Sequence, residues 1–212
     1  MAERAARSEP PAPRRRPGRP RLTEPSAEYR QRLDEIVETG IRVFHERGYD
    51  SGSLDDVAAA LGLSKGSLYH YLRSKAQLLY LIFDRAITLA LQRLDNLAFL
   101  DDPTEQLASL VEHQVRIVSE EPGLFAVFFD QRPRLDDAFE AEIRQKERLY
   151  VSRIASVVTR ATSTGDLPDL DPRYAAHAVL GMTSWVYKWF DPERDDPARI
   201  ADTMTRMIVG GR

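Results

Sequence analysis

The stretch Lys65-Gly-Ser-Leu-Tyr-His-Tyr71 gathers side chains whose chemistry suits a DNA groove. Lys65 can reach a phosphate or a guanine, and Ser67 can bond a base edge or a phosphate. Gly66 has no side chain to hold the backbone away from a duplex. Tyr69 and Tyr71 carry hydroxyls for phosphate oxygens, or else serve as packing aromatics. Leu68 and Leu72 are spaced to face inward and hold the segment on its neighbours. Lys75 stands at the start of the following helix, beside backbone N–H groups that can meet a phosphate. A second basic run, Arg14-Arg-Arg-Pro-Gly-Arg-Pro-Arg21, presents Arg16 and Arg19 in an extended, proline-stiffened context that fits an A·T minor groove. The alternative for that run is unspecific attraction to phosphate.

A different chemistry is concentrated further along. Phe125, Phe128, Phe129, Arg132 and Arg134 form one aromatic and basic cluster, and Trp185, Lys188 and Trp189 form another on one predicted helix surface. An apolar pocket with a few cations suits an amphiphilic anion. The alternative is an aromatic core with solvated arginines.

Other chemistries find little support. The chain has 212 residues and no cysteine, so neither a disulfide framework nor a thiolate metal site can form. The four histidines are scattered without a metal-ligand spacing, and no nucleophile elbow or phosphate-binding glycine loop is present. No catalytic residue, metal or cofactor is therefore expected, and a helical enzyme is the less favoured class. The absence of a long apolar run and of a signal-like N-terminus leads to the expectation of a cytoplasmic, nucleoid-associated protein with no membrane partner. The net charge of -3 hides a polarity: residues 1–75 carry 14 Lys/Arg against 11 Asp/Glu, and the remainder carries the acidic excess. A polyanion would meet the basic front.

Positioning these groups requires helices, and the start signals are dense. Leu33, Ile36, Val37, Gly40, Ile41 and Phe44 recur at helical spacing, with Gly48 as the stop. Ser53-Leu-Asp-Asp56 is a capping-box start for a short helix over 54–61. Gly62 allows a tight turn, Ser64 caps a helix over 65–72, and Ser74 caps a long apolar-periodic one. Further starts lie at Pro103, Pro122, about Leu135, Pro172 and Pro197, the Pro172 helix running to about Phe190. The pattern predicts an all-α chain of about nine helices. An N-terminal three-helix helix-turn-helix domain is followed by a C-terminal helical ligand-binding and dimerisation domain. The expected boundaries are a disordered basic arm over 1–27, the DNA-binding domain over 28–74, and the ligand-binding and dimerisation domain over 75–212.

The segment from Ser53 to Leu79, with Phe44 and Gly48-Tyr49 before it, resembles the recognition unit of the TetR family almost position for position. One departure is Tyr71-Leu72, where members more often carry Phe second. The resemblance implies that Ser53, Lys65, Ser67, Tyr69, His70, Tyr71 and Lys75 contact DNA. It also implies a homodimer paired through long C-terminal helices, with candidates over 138–162 and 174–190, since two half-sites need two recognition helices one DNA turn apart. Residues 124–130 and 185–192 are similar to regulators of fatty-acid and steroid catabolism, a group that responds to acyl-CoA thioesters. That similarity implies a repressor of operator DNA released by an acyl-CoA, with Lys188, Arg132 and Arg134 toward phosphates and the aromatics toward the acyl group. A hydrophobic drug or antibiotic is the alternative effector.

Overall fold

The computed structural model describes residues 26–95 and 100–210. The first five α-helices are α1 (Ala27–Ser51), α2 (Leu54–Ala60), α3 (Lys65–Tyr69), α4 (Lys75–Asp95) and α5 (Pro103–Glu120). They are followed by α6 (Pro122–Asp130), α7 (Asp137–Ser163), α8 (Pro172–Ser184) and α9 (Pro197–Val209). Two 3-10 turns, Arg132–Arg134 and Trp185–Lys188, interrupt the series. No strand occurs among the described residues, in keeping with the all-α expectation.

Caps explain most of these boundaries. Ser53 accepts from the Asp56 N–H at 3.1 Å while the Asp56 carboxylate accepts from the Ser53 N–H at 2.9 Å, completing the capping box. Ser64 and Ser74 accept from Ser67 N–H and Gln77 N–H. Aspartates cap α5, α7, α8 and α9, and proline occupies the first turn of α5, α6, α8 and α9, where a missing N–H has no cost. Between α2 and α3, Gly62 adopts φ 63°, and the Leu63 N–H reaches back to Ala58 O at 2.9 Å. This left-handed closure sets the sharp turn of the helix-turn-helix unit.

Four boundaries differ from expectation. Helix α1 starts at Ala27, ahead of its first apolar anchor, because Ser26 caps it through Tyr29 N–H. Gly48 breaks the α1 helix with φ 74°, yet Tyr49–Ser51 regain one helical turn. Helix α3 stops at Tyr69, three residues short. Helix α8 stops at Ser184 rather than Phe190, and the chain tightens there into the 3-10 turn.

The core runs without a break through both halves. Phe44, Leu68, Leu72, Leu78 and Leu79 close the first, and Leu107, Leu110, Ile143, Ile154 and Val158 the second. The apolar stripe of α7, expected in part at a dimer interface, is spent mostly inside the subunit, with Leu149 left exposed. Helix α1 crosses α4 closely at Gly40, where an added Cβ would lie 2.8 Å from a Leu78 methyl group. Leu78 is fully buried, so it has no empty space to move into. Gly40→Val is therefore expected to destabilise the chain by roughly 1–3 kcal/mol in urea unfolding. Wild-type stability in that variant would contradict the close crossing.

Candidate DNA-contact surface and ligand cavity

Helix α3 divides cleanly. Leu68 and Leu72 are fully buried and anchor it, whereas Lys65, Gly66, Ser67, Tyr69 and His70 face outward. Gly66 meets no neighbour beyond Ser64 Oγ, so its missing side chain leaves the outer face of the helix clear. The outward groups are held in place before any partner arrives. Lys65 Nζ pairs with Asp55 at 3.0 Å, and the hydrogen bond from this amine to that carboxylate raises the lysine's pKa. Ser67 and Ser64 share a hydroxyl contact of 2.8 Å. Tyr71 is half-buried and stacks on Tyr29 of α1 at 4.8 Å, so its ring packs while Tyr69 projects. His70 meets Tyr71 edge-on.

Two expected DNA contacts have structural duties. Ser53 caps α2 and donates its hydroxyl to Asp56 at 2.6 Å. Those hydrogen bonds from Ser53 hold the Asp56 carboxyl below the usual range. Lys75 turns back toward α1, its Nζ 4.3 Å from the Tyr49 ring and 3.3 Å from Asp50 O. Arg16 and Arg19 lie outside the described residues.

A cavity of about 290 Å³ opens between α4, α5, α6, α7 and α8. Phe125, Phe128 and Phe129 line it, as the sequence suggested, together with Ala86, Ile87 and Ala90 of α4. The other expected ligand residues are elsewhere. Because α8 breaks at Ser184, Trp185 and Trp189 turn outward and are 59% and 43% exposed. Lys188 reaches Asp130 at 2.8 Å, Arg132 reaches Glu147 at 2.8 Å, and Arg134 reaches Asp50 at 2.6 Å. Each of these cations thus already holds a carboxylate. Arg132 Nη1 remains buried with no hydrogen-bond partner among the described residues.

Several lining residues escaped the sequence reading: Gln114 of α5, Glu147 and Tyr150 of α7, and His177 and Ser184 of α8. Only Gln114 carried a signal, as a polar residue on the buried register of Leu107, Leu110, Val111 and Val118. Burial pushes the Glu147 carboxyl up, and the Arg132 guanidinium opposes that shift.

The fold and these two regions define a class: a helix-turn-helix unit joined to an all-helical domain with an internal cavity. A family profile for bacterial regulatory proteins of the tetR family matches residues 36–80, and one for the tetracyclin repressor-like C-terminal domain matches residues 100–212. The chain belongs to the TetR family. It is 26% identical over 188 residues to the HTH-type transcriptional repressor KstR2 of Mycolicibacterium smegmatis, covering 85% of this chain and 90% of the relative. It is 18% identical over 189 residues to the fatty acid metabolism regulator protein of Bacillus subtilis, covering 86% and 96%. Among solved structures, AibR in complex with isovaleryl coenzyme A and operator DNA superposes with a TM-score of 0.78 at 29% identity, covering 84% of this chain and 98% of that one.

The Asp130 cluster yields a pH test. Burial raises the Asp130 carboxyl, but hydrogen bonds from Lys188 and Tyr187 outweigh it and leave it below an ordinary aspartate. A lowered folded pKa stabilises fully above the unfolded carboxylate range and fades as pH falls through the lowered value. Asp130→Asn is expected to reduce stability modestly at neutral pH, since the pair is well exposed. The gap to wild type closes as pH falls below the ordinary aspartate range in acid unfolding. A gap that persists in acid would contradict this account.

Proposed function

We propose that this chain is a homodimeric transcriptional repressor that binds palindromic operator DNA and leaves it when an acyl-CoA thioester fills the cavity. One observation carries the reading: α4 is shared by both regions. Its Leu78 and Leu79 lie in the same buried core as Leu68 of α3, and its Ala86, Ile87 and Ala90 wall the cavity. The relatives supply the ligand class, through KstR2, a fatty acid regulator and the isovaleryl coenzyme A complex of AibR. The first two are named as a transcriptional repressor and a regulator, and the third holds operator DNA, which favours a regulator over an enzyme for this chain. A volume of about 290 Å³ accommodates an acyl group and leaves the nucleotide outside.

The DNA contacts in this reading are Lys65, Gly66, Ser67, Tyr69 and His70. The Tyr71 hydroxyl, Ser53 and Lys75 are secondary, given their packing duties. Arg132, Arg134 and Lys188 would meet phosphates only by giving up Glu147, Asp50 and Asp130. In this reading the dimer face comprises the outer sides of α8 and α9, with Tyr174 and Met207 exposed, and the turn after α8, with Trp185 exposed. No helix among the described residues is long and apolar enough to cross a membrane, and a role on DNA puts the protein in the bacterial cytoplasm. The domain division proposed is an arm ending near the start of α1, a DNA-binding unit through residue 74, and the remainder.

Release follows from linkage. A ligand expels DNA only if it binds better to a form whose recognition helices are misplaced. The test is fluorescence anisotropy on the palindrome beside the chain's own gene. Wild type binds it specifically, Lys65→Ala shallows the salt slope by about one unit, and an effective thioester weakens binding by about 5–150-fold. Equal affinity for every duplex, or indifference to a thioester panel, would overturn the reading.

A further inference from the structure

Two polar residues of the cavity wall are shared with a second cavity. Gln114 of α5 and Tyr150 of α7 border both the main cavity and a small cavity of about 10 Å³ behind it. Each is only 7% exposed. Neither side chain has a hydrogen-bond partner among the described residues, and the polar atoms of both keep some accessible surface. The neighbouring His113 spends Nδ1 on the Ser109 carbonyl. Burial alone pushes the Tyr150 hydroxyl up, with no hydrogen bond contributing.

Such groups are expensive in a core. An amide and a phenol left unpaired beside Phe125, Phe128 and Phe129 cost free energy that leucine and phenylalanine would not. Gln114 interrupts an α5 face otherwise made of Leu107, Leu110, Val111 and Val118. An unmet donor pair facing a ligand cavity discriminates strongly, because a ligand lacking the matching atom leaves it unpaired. Glu147 on the cavity wall disfavours an anionic partner and leaves a neutral oxygen as the match.

We propose that Gln114 and Tyr150 are specificity-determining residues that read a neutral oxygen, a carbonyl or hydroxyl, carried on the buried acyl group of the effector. The inference rests on the acyl-CoA reading for the identity of the carrier. The oxygen preference itself is a property of the cavity. A water held in the small cavity, or recognition of the thioester carbonyl instead, would abolish that preference.

Two sets of probes test it on the full chain. Calorimetry compares hexanoyl-CoA with 5-oxohexanoyl-CoA, which match in length. Thermal stabilisation compares methylcyclohexane with cyclohexanone, which lack CoA. Wild type is expected to prefer the oxygenated member of each pair by about tenfold. In Gln114→Leu the ratio falls to about one, and in Tyr150→Phe it falls part of the way. Both substitutions keep core volume, so folding is preserved. Thioesters that bind without an oxygen preference, or a preference untouched in both variants, overturn the inference and leave the acyl-CoA reading standing. A ketone preference with no thioester binding upholds the inference and overturns the acyl-CoA reading.

Discussion

Helix α4 cannot move at one end alone. Its buried face is continuous from Leu78 through Ile82, Phe83 and Ala86 to Ala90 and Leu94. Near its start it is locked against Gly40 of α1, the helix on which the recognition unit is built. Two turns later the same face becomes cavity wall. Close-packed interiors shift as units rather than deform smoothly. On the proposed reading, whatever repositions Ala86 and Ile87 also displaces Leu78, and α3 with it.

A second tie runs alongside. The 3-10 turn Arg132–Arg134 sends one arginine to Glu147 on the cavity wall and the other to Asp50 at the end of α1. The Asp50 carbonyl also takes Lys75 from the first turn of α4. The Arg134–Asp50 pair is exposed and individually weak, which suits a contact that is made in one state and given up in another. The half-buried Arg132–Glu147 pair is the costlier one to break, and it stands where a ligand would arrive.

Local chemistry was legible and long-range pairing was not. Ser53 with Asp56, Ser64, Ser74 and the Asp-Pro starts each announce a helix within four residues, so the order of elements followed from spacing alone. Which side chains of α3 face outward was readable for the same reason, since α3 is a single short helix. The cavity was not, because its lining comes from five helices. Arg132, Arg134 and Lys188 read as free cations until their partners arrived from 15, 84 and 58 residues away. Trp185 and Trp189 read as pocket aromatics because nothing local marks the switch from α-helix to 3-10 turn at Ser184. Tyr150 shares the buried face of α7 with Ile143, Ile154 and Val158, and only the fold shows that it borders the cavity.

The central claim is a coupling between cavity and operator, and coupling is reciprocal. The most direct measurement is calorimetric titration of an acyl-CoA thioester into the free chain and into the operator-bound chain. The account predicts that operator weakens thioester binding by the same factor by which thioester weakens operator binding. Identical thioester affinity in the two titrations would contradict it.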